Sequence, residues 1–391
     1  MSTNYKFLEP YTFANGATIK NRVVIPPMTE GSSLEDGSVS RDELYYFDTH
    51  TGGVGMFIAP VANVSEDGKG FEGELSITDD RFLPGLTNMA KAIKKDGTKA
   101  ILQIFHAGRM SSKAILRGTQ TVSASAVAAP RPNAETPREL TTEEVEQIII
   151  DFGEATRRAI QAGFDGVELH GANTYLMQQF FSPHSNKRTD KFGGDVKGRM
   201  TFALEIIKSV KKAINEYATE PFILGYRISP EEIEEPGIRL EDTLQLVDVL
   251  ADSGIDYLHI SMGSAWRTSL NNREDKTPIV LHIKETVNGR VPLISVGSIE
   301  TPAQAEEVMD AGIEFVALGR ESIREPQWVQ KVEAGQEDAI RYTLDKNDME
   351  ELGINPAFAN FLGMLGADMH FVGKEDKDNF GEELGSIEGN Y

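Results

Sequence analysis

Three side chains that could polarise an oxygen atom and deliver a proton stand close together in the chain: His170, Asn173 and Tyr175. His170 and Asn173 can both donate hydrogen bonds to one oxygen and so stabilise negative charge that develops there. Tyr175 carries a phenol that stays protonated at neutral pH and can give a proton to carbon or oxygen. Taken alone, this spacing is equally typical of a structural histidine beside a buried asparagine.

His170 ends the fourth of eight short runs rich in β-branched residues, and Asn173 and Tyr175 follow it. Each run is followed by an amphipathic stretch. Eight strands that alternate with helices predict an α/β fold, the (β/α)₈ TIM barrel. In such barrels the active site forms at the carboxyl ends of the strands, which is where the three side chains lie. The expected strands are Val23–Ile25, Met56–Val61, Lys99–Phe105, Gly166–His170, Phe222–Ile228, Tyr257–Ser261, Pro292–Val296 and Phe315–Gly319.

The stretches between the later runs carry apolar residues at helical spacing. Thr141 and Glu144 match a capping box, in which each side chain bonds the backbone N–H of the other residue at a helix start. The expected helices are Thr141–Gly163, Met200–Tyr217, Leu240–Ser253, Pro278–Asn288 and Pro302–Ala311.

Three segments add to the repeating pattern. Residues Tyr11–Lys20 predict a small hairpin that turns at Asn15 and Gly16 and covers the bottom of the barrel. Residues Ala107–Leu140 form a long excursion after the third strand, on the catalytic face. We therefore divide the chain into a barrel, residues 1–335, and a C-terminal extension, residues 336–391, which is helical around Pro356–Leu365 and ends in an acidic tail.

Composition excludes several kinds of function. The 39 basic and 61 acidic residues give a net charge of −22, which repels nucleic acid and anionic membrane surfaces, so any phosphate must be held by a local basic cluster. The absence of cysteine excludes disulfides, thiolate zinc sites and cysteine-ligated iron–sulfur clusters, and we expect no metal site. Without an apolar leader or span, a cytoplasmic location is expected. The oligomeric state, homo-oligomer or monomer, stays open.

The residues that follow His170 carry a family resemblance. The run from His170 to Tyr175 continues through a long polar stretch, and three further segments agree with it in order. Together they resemble the old yellow enzyme family of FMN-dependent NADH:flavin oxidoreductases over about residues 7–335. The matched segments are His170–Tyr175 with residues 181–199, Lys20–Thr29, Gln103–Arg109, and Val296–Ser298 with Leu318–Arg320.

The resemblance implies an FMN site in the barrel. By it, Gln103 reads the N3/O2 edge of the flavin with its amide, which can both donate and accept. Arg227 takes the place of the positive charge near N1 that stabilises reduced flavin. Its alternative role is a salt bridge with Glu168 at the barrel mouth. Pro26, Met28 and Thr29 would lie along the ring, with the Thr29 hydroxyl near O4.

The phosphate of the flavin belongs, on the same resemblance, at the loops after the seventh and eighth strands. Gly297 and Ser298 in one loop, and Gly319 and Arg320 in the other, offer backbone N–H groups and one guanidinium. Val61, after the second strand, matches a position that packs on the flavin.

The implied activity is a two-step hydride transfer. NADH or NADPH reduces FMN, and a small electron-poor acceptor such as an enone, held by His170 and Asn173, then receives the hydride while Tyr175 supplies the proton. Three alternatives stay open. The first is an NADH oxidase or general flavin-dependent electron donor without a dedicated alkene substrate, the second is a non-catalytic flavin-binding barrel, and the third is a phosphate-binding barrel without flavin.

Overall fold

The computed structural model describes residues 5–364 and 369–372, and its centre is a closed barrel of eight parallel strands. Around the barrel the strands follow the order β3, β13, β12, β11, β10, β9, β6 and β4, and pairing of β3 with β4 closes the ring. The predicted TIM barrel is therefore confirmed. The strands are β1 (Tyr11–Thr12), β2 (Thr18–Ile19), β3 (Val23–Ile25), β4 (Met56–Asn63), β5 (Leu75–Ser76), β6 (Lys99–Phe105), β7 (Val122–Ser123), β8 (Arg138–Glu139), β9 (Gly166–Gly171), β10 (Ile223–Ile228), β11 (Tyr257–Ile260), β12 (Leu293–Val296) and β13 (Phe315–Ala317).

Helices surround the barrel and join its strands, as parallel neighbours require. They are α1 (Arg41–His50), α2 (Leu83–Ile93), α3 (Thr142–Ala162), α4 (Leu176–Phe181), α5 (Val196–Tyr217), α6 (Leu240–Ala251), α7 (Ile279–Val287), α8 (Pro302–Asp310), α9 (Arg320–Arg324), α10 (Trp328–Glu333) and α11 (Pro356–Met364). The predicted capping box of α3 is present, because Thr141 accepts from the Glu144 N–H and the Glu144 carboxylate accepts from the Thr141 N–H.

The predicted start of one helix and the predicted end of the last barrel strand were wrong. Helix α5 begins at Val196 rather than Met200, because the Asp195 side chain accepts from the Gly198 N–H and caps the helix earlier. The last strand ends at Ala317, before Gly319, because that glycine turns the chain into α9. The predicted extension helix is α11, whose expected last residue, Leu365, lies outside the described residues, as does the acidic tail.

The amino-terminal hairpin covers the bottom of the barrel, as predicted. Strands β1 and β2 pair antiparallel, and the ring of Phe13 stacks on Phe315 of β13 with centroids 5.5 Å apart. The Asn15 side chain donates a hydrogen bond to the backbone oxygen of Phe222, at the start of the fifth barrel strand. These contacts keep water away from the amino-terminal ends of the strands.

A bulge interrupts strand β4 just below the catalytic face. Its register with β6 shifts between Ala59 and Ala62, at Pro60, which has no N–H to donate to the ladder. The bulge presents Val61 to an apolar cluster that contains Phe105 and Tyr175. In the part of the chain that the structure describes, no helix is long and apolar enough to cross a membrane.

Gly225 on β10 lies beneath the predicted site and leaves room for Tyr257 of β11. A Cβ atom at Gly225 would stand 2.0 Å from the Tyr257 ring, which is fully buried. We expect Gly225→Ala to lower the free energy of unfolding by about 1–3 kcal/mol, the usual effect of overpacking a core. Urea denaturation measures it, and Gly263→Ala, whose Cβ would meet open space, is the control. Equal stability of Gly225→Ala and the wild type would contradict this packing.

Candidate active site

One cavity opens at the carboxyl ends of the strands and collects most of the residues predicted to bind the flavin. Eight of those ten residues line it, and it also receives side chains from α11. Loops that follow β3, β11, β12 and β13 therefore converge with a side chain from the end of β10, as the fold requires. The eight are Pro26, Met28, Thr29, Arg227, Gly297, Ser298, Gly319 and Arg320.

The end of the cavity formed by the β12 and β13 loops places a guanidinium beside a tight turn of the backbone. Gly297 has a φ of +124°, and a Cβ there would come within 2.6 Å of the Met262 carbonyl oxygen, so only glycine fits. The Ser298 hydroxyl donates to the Gly263 carbonyl and accepts from the Arg320 guanidinium, both at 2.9 Å. This contact holds the guanidinium beside the loop that was predicted to bind phosphate.

Gly319 keeps a second part of the cavity open. A Cβ at this position would stand 3.6 Å from Pro26 Cγ and 3.7 Å from Met28 Sδ. It would fill space between two walls of the cavity. The donor set of Ser298 and Arg320, the open space at Gly319 and the walls at Pro26 and Met28 fit a flat ring system that carries a phosphate.

A buried carboxylate lies beneath the cavity. Gln103 Nε2 donates to Glu168 Oε1 at 2.7 Å, and His259 Nδ1 lies 2.9 Å from Glu168 Oε2. All three side chains are at most 1% exposed. Burial lowers the pKa of His259, with Arg227 acting in the same direction and Glu168 opposing, so the neutral imidazole donates to the carboxylate. Because Gln103 turns its Nε2 to Glu168, its Oε1 is the atom left to meet a ligand donor.

His170 lies in register with Arg227 on the neighbouring strand β10. Burial and then the positive charge of Arg227 hold the pKa of His170 well below its usual value, so the imidazole is neutral at pH 7. Its Nδ1 accepts from the Ala172 N–H at 3.4 Å, which leaves the ring proton on Nε2. His170 can therefore donate a hydrogen bond to a bound oxygen without carrying a charge.

Asn173 and Tyr175 lie on the turn that follows β9. Asn173 has a φ of +54°, and its Oδ1 accepts from the Ser261 hydroxyl at 2.9 Å, which leaves the Nδ2 group for a ligand. The buried ring of Tyr175 lies edge-on to His170, with centroids 4.9 Å apart. The structure thus brings His170 and Tyr175 together, whereas convergence of His170 and Asn173 on one atom stays a prediction.

The two remaining predicted flavin residues are not among the residues that line the cavity. Val61 packs in the cluster of Phe105 and Tyr175, and Gln103 lies below, on Glu168. Their contacts with flavin stay predictions.

Sequence reasoning missed the partners of Gln103. His259 was not recognised, and Glu168 was considered only as a partner of Arg227. A signal existed for Glu168, since residues 168 and 170 alternate on one strand and so share a face. The apolar side chains of α11 that line the cavity, Phe358, Phe361 and Leu362, were also missed, although their spacing is that of one helix face.

Comparisons with known proteins agree with this geometry. The family model described as the NADH:flavin oxidoreductase / NADH oxidase family matches residues 6–339. The chain is 46% identical to the NADH:acrylate oxidoreductase of Vibrio harveyi over 83% of its own length, but it spans only 33% of that protein. It is 44% identical to the probable NADH-dependent flavin oxidoreductase YqiG of Bacillus subtilis, over 90% of this chain and 94% of that one. The solved structure of morphinone reductase superposes with a TM-score of 0.72 at 26% identity, covering 87% of this chain and 92% of that chain.

Removal of the buried carboxylate tests the Glu168 network. We expect Glu168→Ala to lower the free energy of unfolding by about 2–5 kcal/mol, because Gln103 and His259 would each keep a buried donor without its acceptor. Urea denaturation measures the loss, and Glu168→Gln, which keeps an oxygen acceptor, should lose less. Equal loss in the two variants would show that a neutral oxygen acceptor of the same size does not satisfy the two donors, and would contradict this account of the site.

Proposed function

The chain belongs to the NADH:flavin oxidoreductase / NADH oxidase family of FMN-dependent enzymes, and from this premise we propose that it reduces a small electron-poor alkene such as an enone with NADH or NADPH. The proposal rests on one observation: two groups of side chains lie together at the carboxyl ends of the barrel strands. An anion-binding cavity with Arg227 in its wall lies beside a neutral His170 that packs on Tyr175.

The residues of the cavity have distinct tasks in holding the cofactor. Arg320 and Ser298 would bind the phosphate, which an acidic chain needs local donors to retain. Arg227 would place its positive charge at the pyrimidine end of the ring, and Gln103 Oε1 would accept from that edge. The Thr29 hydroxyl would donate a hydrogen bond near O4 of the flavin. Bound FMN supplies a site that takes a hydride from the nicotinamide and releases it to the acceptor.

The acceptor is bound through its oxygen. His170 Nε2 and Asn173 Nδ2 would each donate to a carbonyl or carboxylate oxygen, and the hydrogen bond from Ser261 holds the Asn173 amide in the orientation that this requires. The imidazole is neutral, so it donates without a competing protonation over the physiological pH range. These donors lower the energy of the negative charge that builds up on the oxygen as hydride reaches the alkene.

Tyr175 completes the reduction by supplying a proton to the carbon next to the activated group. Its ring packs edge-on against both Phe105 and His170, with centroid distances of 4.8 Å and 4.9 Å. This packing and the burial of the ring limit the movement of the phenol. The name of the Vibrio harveyi relative, an acrylate oxidoreductase, favours an α,β-unsaturated carbonyl compound as the acceptor.

A second candidate follows from the length of that same relative. The chain spans a third of it, so the part that meets acrylate there could lie outside the shared region. In that case this barrel would oxidise NADH and pass electrons to another acceptor, as a general flavin-dependent electron donor. The donors at His170 and the phenol of Tyr175 favour the first candidate, because electron transfer alone needs neither.

The variant Tyr175→Phe separates the two candidates, because it keeps the ring and its packing but removes the proton donor. Stopped-flow absorbance should show that reduction by NADH keeps the wild-type rate, whereas reoxidation by an enone slows by about 10²–10⁴-fold, the usual contribution of general acid catalysis. Tyr45→Phe, at an exposed tyrosine, is the matched control. If reoxidation by the enone is unchanged in Tyr175→Phe, the electron-donor candidate is favoured and the role given to Tyr175 is wrong.

A further inference from the structure

We infer that helix α11 of the C-terminal extension forms a wall of the FMN site and retains the cofactor through apolar contacts. The inference rests on the proposed binding of FMN and names a part of the site outside the residues that the family model matches, 6–339. Three side chains of the helix carry it: Phe358, Phe361 and Leu362.

The three side chains share one face of α11 and line the same cavity as Arg320 and Ser298. Phe358 is 1% exposed and Leu362 is fully buried, so both are part of the protein core. Phe361 is only partly buried and belongs to the edge of that core. Its remaining exposed surface is available to a ligand in the cavity.

Contacts with the first barrel loop and with α1 fix the position of α11. Asn355 Nδ2 donates to the Ser32 hydroxyl at 2.8 Å, and Asn355 Oδ1 accepts from the Phe358 N–H at 2.9 Å. The ring of Phe358 lies edge-on to Tyr46 of α1, with centroids 5.3 Å apart. Ser32 follows Thr29 by three residues, so the loop that borders the flavin also carries the anchor of the helix.

The chemistry of the wall indicates which part of the cofactor it meets. Elsewhere the cavity offers the guanidinium groups of Arg320 and Arg227, which suit the phosphate and the pyrimidine end, beside two glutamates and apolar side chains of the barrel loops. The three α11 side chains present hydrocarbon alone. The dimethylbenzene ring is the apolar part of FMN. Burying it against Phe361 and Leu362 would make the free energy of FMN binding more favourable through the hydrophobic effect.

The test uses the full-length chain freed of cofactor, titrated with FMN and with riboflavin and followed by flavin fluorescence. Phe361→Ala should raise the Kd of both ligands by about tenfold, equivalent to about 1.4 kcal/mol, because both carry the same ring. Arg320→Ala should weaken FMN only, because riboflavin has no phosphate. Asn360→Ala, at an exposed position of the same helix, is the matched control, and Phe361→Leu should restore most of the affinity.

The possible outcomes separate the inference from the function it rests on. An unchanged Kd for both ligands in Phe361→Ala would overturn the inference while the proposed FMN site stands. A raised KM for the acceptor with an unchanged FMN Kd would assign the wall to the acceptor pocket and would also overturn it. Failure of the wild-type chain to bind either ligand would instead contradict the proposed function. Phe361 is chosen because its partial exposure makes loss of folding less of a concern than at Phe358 or Leu362.

Discussion

The hydrogen bonds of the buried Glu168 carboxylate hold the floor of the site together. They fix the Gln103 amide on one side and the His259 imidazole on the other. Arg227 helps to keep His170 neutral, so the charge state of the side chain that we propose to bind the acceptor oxygen depends on its neighbour in the barrel.

The cavity above Glu168 contains the phosphate site that we propose, in a chain of net charge −22. Two tight loops form it. Gly297 allows its loop to pass against the Met262 backbone, and Ser298 holds the Arg320 guanidinium in place. The proposed phosphate site consists of a few donors at short range, because only such donors can outweigh the negative potential of the whole molecule.

The barrel and much of the site could be predicted because their signals are local. Short β-branched runs identify strands, and parallel strands bring their carboxyl ends to one face, so His170 and Arg320 were expected to share that face. The partner of Gln103 could not be predicted, because it depends on the register between β6 and β9, which no local pattern encodes. Phe361 was missed because more than 300 residues separate it from Thr29, which lines the same cavity.

The measurement that tests the account most directly is an anaerobic titration of the purified protein with NADH, after the bound flavin has been extracted from a parallel sample and identified. The account predicts one non-covalent FMN per chain and a full loss of the oxidised flavin absorbance on titration, with the absorbance restored when an enone is added. A colourless protein that cannot be reconstituted with FMN would contradict it. So would an FMN-loaded protein whose absorbance NADH and NADPH leave unchanged.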